Sequence, residues 1–166
     1  MKNNNLPSQS QPQPSNYFQF EADFVNSLRC IPMQVRMKLD NCGVKLKLAH
    51  WNQFSQLERQ NLVDLPCTTQ AERQTYREFL QNLITAKTGK PAKELAIDPH
   101  PSWLDETKIP LEVRGKAEEF QVDISLEQWS NLTPARRFAL IKLSRPSHEN
   151  KNFVPALREF GILSNS

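Results

Sequence analysis

The side chains with the strongest claim to chemistry are three cysteines and three histidines, and their spacing excludes more than it offers. Cys30, Cys42 and Cys67 are odd in number and irregularly spaced, with no CxxC, so neither a disulfide framework nor the thiolate set of a zinc or iron–sulfur site is legible. His148-Glu149-Asn150 begins like the H-E-x-x-H pair of a zinc hydrolase, but the second ligand is missing, because position 152 is Asn152. His100 lies between two prolines, and no serine stands in a nucleophile-elbow context. With 4 glycines in the chain there is no glycine-rich phosphate loop. The chain reads as a non-enzyme with no catalytic residue, no metal and no cofactor.

Charge gives one weak lead. The net charge of +3 is small, yet Arg136, Arg137, Lys142, Arg145, Lys151 and Arg158 stand against Glu149 alone between Pro134 and Arg158. That stretch is expected to be a basic surface for an acidic protein, a phosphate-bearing group or nucleic acid. Short helices with tight turns invite a helix-turn-helix reading, so a DNA-binding regulator is carried as a rival. The weak total charge and the lack of interleaved aromatics count against nucleic acid. A second rival is a small metalloprotein using Cys30, Cys67 and His148.

The elements that would position these residues come in pairs. Ile31–Leu65 aligns without gaps on Ile109–Leu143 at an offset of 78, and 11 of 35 positions are identical, among them Pro32/Pro110, Val35/Val113, Trp51/Trp129, Arg59/Arg137 and Leu62/Leu140. We read an internal duplication with repeat units 31–65 and 109–143. Residues kept in both copies are expected to serve packing, with Trp51 and Trp129 as core anchors and Arg36, Arg59, Arg114 and Arg137 in ion pairs or stacked on aromatic rings. Cys42 faces Phe120 across the alignment and is expected to be an ordinary buried apolar site; for Cys30 and Cys67, opposite Lys108 and Arg145, burial is not implied.

Each copy is expected to hold three short helices. Pro32 and Pro110 fit a first helical turn, Gly43 a left-handed stop, and the connections VKLKL and VDISL an extended piece or strand. Ser125 with Gln128, and Thr133 before Pro134, cap the second and third helices of copy two. Between the copies, Thr69 with Glu72 opens the clearest helix, about Gln70 to Lys87, with Tyr76, Phe79, Leu80, Leu83 and Ile84 at helical spacing and Gly89 at its end. A proline-marked stretch to Lys108 follows, which Trp103 is expected to pin. The segment around His148 reads as a loop, and Pro155 opens a last helix ended by Gly161.

Residues 1–16, rich in Asn, Gln, Ser and Pro, are expected to be a disordered tail, and residues 17–166 a single helical domain. The fold class expected is all-α. No apolar run reaches the ~18 residues of a membrane span, there is no apolar signal-peptide core, and the cysteines fit a reducing compartment, so the cytoplasm is expected.

Two strings, SLRCIPMQVRMKLDNCGVKLKLAHW (residues 27–51) and RFALIKLSRPSHENKNFVPALREFG (residues 137–161), strongly resemble the nitrate reductase-associated protein family, and a weaker likeness runs from Tyr17 to the C-terminus. The resemblance implies an accessory, assembly or activation factor for the assimilatory, ferredoxin-dependent nitrate reductase of photosynthetic bacteria. The enzyme itself carries the molybdopterin and the iron–sulfur cluster. The partner implied is therefore nitrate reductase, with ferredoxin involved at most indirectly. The protein would either hold the apo-enzyme open for cofactor insertion or stay as a subunit that helps ferredoxin dock. Matching residues found in only one copy, Arg29, Cys30, Arg145, His148, Glu149, Asn150, Asn152 and Phe153, are the expected contact surface.

Overall fold

The computed structural model describes residues 17–22, 28–146 and 151–164. The tail at 1–16, the residues around Phe24 and Val25, and His148, Glu149 and Asn150 lie outside that range. Among the described residues eight α-helices follow in order: α1 Met33–Cys42, α2 Leu48–Gln53, α3 Gln56–Asp64, α4 Gln70–Thr88, α5 Leu111–Glu119, α6 Leu126–Ser130, α7 Pro134–Ser144 and α8 Phe153–Glu159. Two 3₁₀ turns, Gln19–Glu21 and Ser102–Leu104, lie among them as well. The described residues contain no strand, as the all-α reading expects. The extended connection after α1 makes only one isolated bridge, between Val44 and Glu94.

Local chemistry sets the helix starts. The hydroxyls of Ser55, Thr69, Ser125 and Thr133 each accept the amide three residues on, which satisfies one orphan donor of a first turn. Pro32 and Pro110 sit one residue earlier than expected, as N-caps with extended backbone rather than inside the first turn. There the ring costs nothing, and the Pro32 carbonyl accepts from the Arg36 amide at 3.1 Å. Pro155 likewise does not open the last helix, which starts at Phe153; the proline falls in a first turn whose amides lack partners anyway.

The 78-residue offset recurs in the backbone. α1, α2 and α3 begin at residues 33, 48 and 56, and α5, α6 and α7 at 111, 126 and 134. The longest helix, α4, follows the first trio, and the shorter α8 follows the second. After α1 the chain turns through Gly43 at φ 74°, and the Val44 amide reaches back to the Leu39 carbonyl at 3.2 Å. After α5 the same turn passes through Gln121 at φ 58°, with the Val122 amide 2.9 Å from the Ala117 carbonyl. A glycine is required at the first site because a Cβ there would lie 2.7 Å from the Leu95 carbonyl oxygen.

Each trio has its own core. Val35, Trp51, Leu62, Tyr76, Leu80 and Ile84 fill the first, and Val113, Trp129, Leu140, Phe138, Phe153 and Leu157 fill the second. The apolar stripe of α4, with Tyr76, Leu80 and Ile84 all buried, is the face expected from its spacing. α1 touches both bodies: it packs on α4 and α7, its first residue Met33 is buried in the second core, and its Asp40 pairs with Lys142 of α7 at 3.2 Å. Phe18 and Phe20 cover the second core, and the ring of Trp103 stands edge-on to Phe138 at 5.0 Å, which pins the long connection as expected.

The repeated Trp and Arg form a clamp in both units. Trp51 donates its indole N–H to the Leu28 carbonyl at 2.7 Å, and Trp129 donates to that of Asp105 at 2.9 Å. Arg59 donates to the carbonyls of Trp51 (3.0 Å), Leu28 (3.2 Å) and Asn52 (3.2 Å) and lies 5.8 Å from the Trp51 ring centre. Arg137 donates to the carbonyls of Trp103 (2.7 Å) and Leu132 (2.6 Å), and at 3.4 Å to those of Trp129 and Ser130. These arginines add donors at the carbonyl ends of α2 and α6, where the Trp51 and Trp129 carbonyls otherwise accept only the tightened last-turn amides of Phe54 and Leu132. Stacking is thus found for Arg59, and Arg137 pairs with Glu106 at 4.0 Å while it caps the carbonyls beneath it.

Candidate functional site

Arg29 is exposed and Cys30 half-buried, in the segment that Leu28 anchors to the first core. Arg145 is exposed at the end of α7, where its Nε lies 3.6 Å from Glu112 of α5. Asn152 is half-buried as the N-cap of α8. Phe153 overturns its expected role as a contact residue: it is fully buried in the second core and stacks on Phe120 with ring centres 6.1 Å apart. The expected surface is therefore divided between two bodies, and its aromatic member serves packing.

The basic stretch is also altered by folding. Arg137 is buried, Lys142 pairs with Asp40, Arg145 pairs with Glu112, and Arg136 lies over the Phe160 ring at 5.2 Å. The acids come from α1 and α5, far away in sequence. They leave a mixed-charge face where a cationic one was expected.

Beside Arg145 and Glu112 opens a cleft of about 520 Å³, lined by His100, Asp105, Lys108, Pro110, Leu111 and Glu112. Leu111, the first residue of α5, is 79% exposed. Its counterpart at the 78-residue offset, Met33, opens α1 and is 3% exposed, seated in the neighbouring body. The same position on the same kind of helix thus finds a hydrophobic seat in one unit and solvent in the other. A leucine at a helix start carries no mark of this in sequence, since Met33 and Leu111 look interchangeable.

A second constellation is built from the cysteines. Cys42 ends α1, and Cys67 lies in the linker just before the α4 cap. Both are buried, and their thiols donate to consecutive carbonyls of α1, Cys42 to that of Leu39 at 3.7 Å and Cys67 to that of Lys38 at 3.6 Å. Cys42 is buried as expected, but the reasoning from its counterpart does not hold, because Phe120 is 45% exposed. Cys67, for which no burial was implied, is 4% exposed. The neighbouring Cys42 thiol holds the Cys67 thiol below the ordinary range, aided by the charges of Lys38 and Arg73 and opposed by burial. Cys42 is pushed up by its Cys67 neighbour and by burial. Lys38 shifts down through burial, while its ammonium donates to the Val63 and Leu65 carbonyls at 2.5 and 2.7 Å.

The two sulfurs face different openings. Cys42 lines a cleft of about 310 Å³ with Asn41, Arg73, Gln74 and Arg77, where Arg77 pairs with Glu94 and the buried Nε of Arg73 has no hydrogen-bond partner. Cys67 lines one of about 150 Å³ with Gln34, Lys38 and Thr68. A separation of 25 residues without a shared motif gave the sequence no means of pairing these thiols. Among the described residues no group of three His, Cys, Asp or Glu side chains could hold a metal ion. No helix there is long and apolar enough to cross a membrane.

No curated protein and no solved structure matches the chain. The family model described as conserved nitrate reductase-associated protein matches residues 17–160, from the aromatic segment that covers the second core to the last turn of α8. That span takes in both units, both clefts beside the thiols and the Leu111 face, so the chain belongs to the conserved nitrate reductase-associated protein family.

Proposed function

We propose that this protein is a non-catalytic accessory factor of nitrate reductase, acting in the cytoplasm as an assembly or activation partner through direct contact. The family's description supports the association. The observation that carries the contact is Leu111: 79% exposed where its counterpart Met33 is 3% exposed. A large apolar side chain at the mouth of a cleft, rimmed by Lys108, Asp105, Glu112 and Arg145, has the make-up of an interface anchor inside a polar rim. In this reading Leu111 inserts into nitrate reductase much as Met33 inserts into the second body of its own chain. Arg145 and Glu112 then fix the orientation, so the surface expected around residue 145 moves onto α5 and the loop before it.

The mixed charge of this face favours a protein over a nucleic acid. A duplex needs several unpaired cations along its phosphates, and Arg137, Lys142 and Arg145 are already engaged with carbonyls or acids. Two helical units related by a common offset also suit a scaffold that arose by duplication and then specialised one exposed face.

Co-purification tests the reading. Tagged wild-type protein from nitrate-grown cells is expected to retain nitrate reductase, and Leu111→Asp is expected to lose it while melting at the same temperature. Failure of the wild type to retain the enzyme, or equal retention by the variant, contradicts the proposal.

A further inference from the structure

Cys42 and Cys67 meet across the junction of α1 with the linker to α4, and nothing in the contact face at Leu111 uses them. Two buried thiols could be ordinary packing, since cysteine is among the most buried residue types. Three features argue for more. The two thiols sit on consecutive carbonyls of α1, Cys42 on that of Leu39 at 3.7 Å and Cys67 on that of Lys38 at 3.6 Å, and each perturbs the ionisation of the other. Each lines a cleft of its own, so that reagents have a route to a sulfur from either side. Cations surround the pair, with Lys38 beside Cys67 in one cleft and Arg73 and Arg77 beside Cys42 in the other. Lys38 and Arg73 also act electrostatically on Cys67, and a thiolate there gains from both.

We propose that Cys42 and Cys67 are a redox-active dithiol that closes reversibly into an intramolecular disulfide, with hydrogen peroxide as a competent two-electron oxidant. Cys67 is the attacking sulfur, because its cleft also holds the Lys38 ammonium. In the first step the Cys67 thiolate attacks one peroxide oxygen, the O–O bond breaks, and hydroxide leaves to take up a proton as water. Cys67 is then a sulfenic acid. In the second step Cys42 gives up its proton and attacks the Cys67 sulfur. The S–O bond breaks, and the departing hydroxide takes a proton to become a second water. Two thiols and one peroxide thus give one disulfide and two waters. Both sulfurs are already seated on the last turns of α1, so closure exchanges two weak S–H···O contacts for the S–S bond. A thiol reductant reverses it by exchange. Cys30, half-buried in a different segment, takes no part and serves as an internal control.

The reduced full-length protein is treated with hydrogen peroxide, quenched with catalase, denatured, alkylated and mapped by peptide mass without reduction. The expected result is a fall from three free thiols to one, a Cys42–Cys67 linked peptide, alkylated Cys30, and recovery of all three thiols with dithiothreitol. Cys42→Ser is expected to leave a Cys67 sulfenic acid that dimedone labels. Cys67→Ser is expected to slow oxidation of Cys42 at least tenfold. Melting curves on the same samples verify that each variant is folded. Three surviving thiols in wild type, linkage through Cys30, or wild-type oxidation of Cys42 in the Cys67→Ser protein would each overturn the proposal, and the wild-type map decides it even if a variant fails to fold.

Discussion

The two helical units share a frame and differ in what they do with it. Both begin three helices at the same offset, bury Val35/Val113, Trp51/Trp129 and Leu62/Leu140, and close the second helix with an arginine on its carbonyls. They part where a residue leaves its own unit. Met33 is buried against the second body and Leu111 meets solvent; Arg137 is buried where Arg59 is half-exposed; Cys42 meets Cys67 where Phe120 packs on Phe153. Positions that hold the unit together therefore stay alike, and positions that reach beyond it differ in surroundings even when their chemistry is alike.

Substitutions at paired positions can break this comparison. The largest effect is expected for Arg137→Ala, which takes away the guanidinium donor from the carbonyls of Trp103 and Leu132; a loss of about 3 kcal/mol or more is expected in urea unfolding. Arg59→Ala, at a half-exposed site, is expected to cost about 1 kcal/mol. Equal costs would mean that burial does not distinguish the two clamps. Next, Met33→Ala should lose about 2–4 kcal/mol by opening a cavity between the bodies, whereas Leu111→Ala stays within about 0.5 kcal/mol.

The left-handed turns should respond with opposite signs. Gln121→Gly relieves a non-glycine residue at φ 58° and is expected to gain about 1 kcal/mol. Gly43→Ala adds both that strain and a Cβ 2.7 Å from the Leu95 carbonyl oxygen, and its thermal midpoint is expected to fall.

The smallest effect is in acid. The capping boxes of α3 and α4 use Glu58 and Glu72, whose carboxyls lie below their ordinary 4.5 because backbone amides, of Ser55 for one and of Thr69 and Thr68 for the other, donate to them. The third positions of α6 and α7 hold Gln128 and Arg136, which do not titrate there. A depressed carboxyl contributes stability that is fully present above the unfolded value and is lost as pH falls through the folded one. Below about pH 4.5 these two caps should weaken, and Glu58→Gln with Glu72→Gln should flatten the fall of the urea midpoint between pH 5 and pH 3. An unchanged slope in the double variant would show that the caps contribute nothing to acid sensitivity.

Local features were legible in the sequence. The helix starts at Ser55, Thr69, Ser125 and Thr133, the stop at Gly43 and the buried stripe of α4 all depend on residues within one or two turns of each other. The alignment of the two segments also identified Trp51 and Trp129 as core. What escaped depends on distant partners. Arg145 looked like a free cation until Glu112 of α5 came beside it, Lys142 until Asp40 of α1 did, and Phe153 looked like surface until α8 turned it inward. Cys67 reached the Lys38 carbonyl beside Cys42 because α4 packs on α1. The exposure of Leu111 is the hardest case, because its sequence environment matches that of a buried residue and no described element seats it as the second core seats Met33.

The most direct test measures the affinity of purified nitrate reductase for the wild type, Leu111→Asp and Leu57→Asp. Leu57, on α3 of the first unit, is 71% exposed and provides a control of similar exposure outside the cleft. The account predicts wild-type affinity for Leu57→Asp and at least tenfold weaker binding for Leu111→Asp, with thermal unfolding unchanged in both. Equal affinities for the two variants would contradict it and would remove Leu111 from the interface.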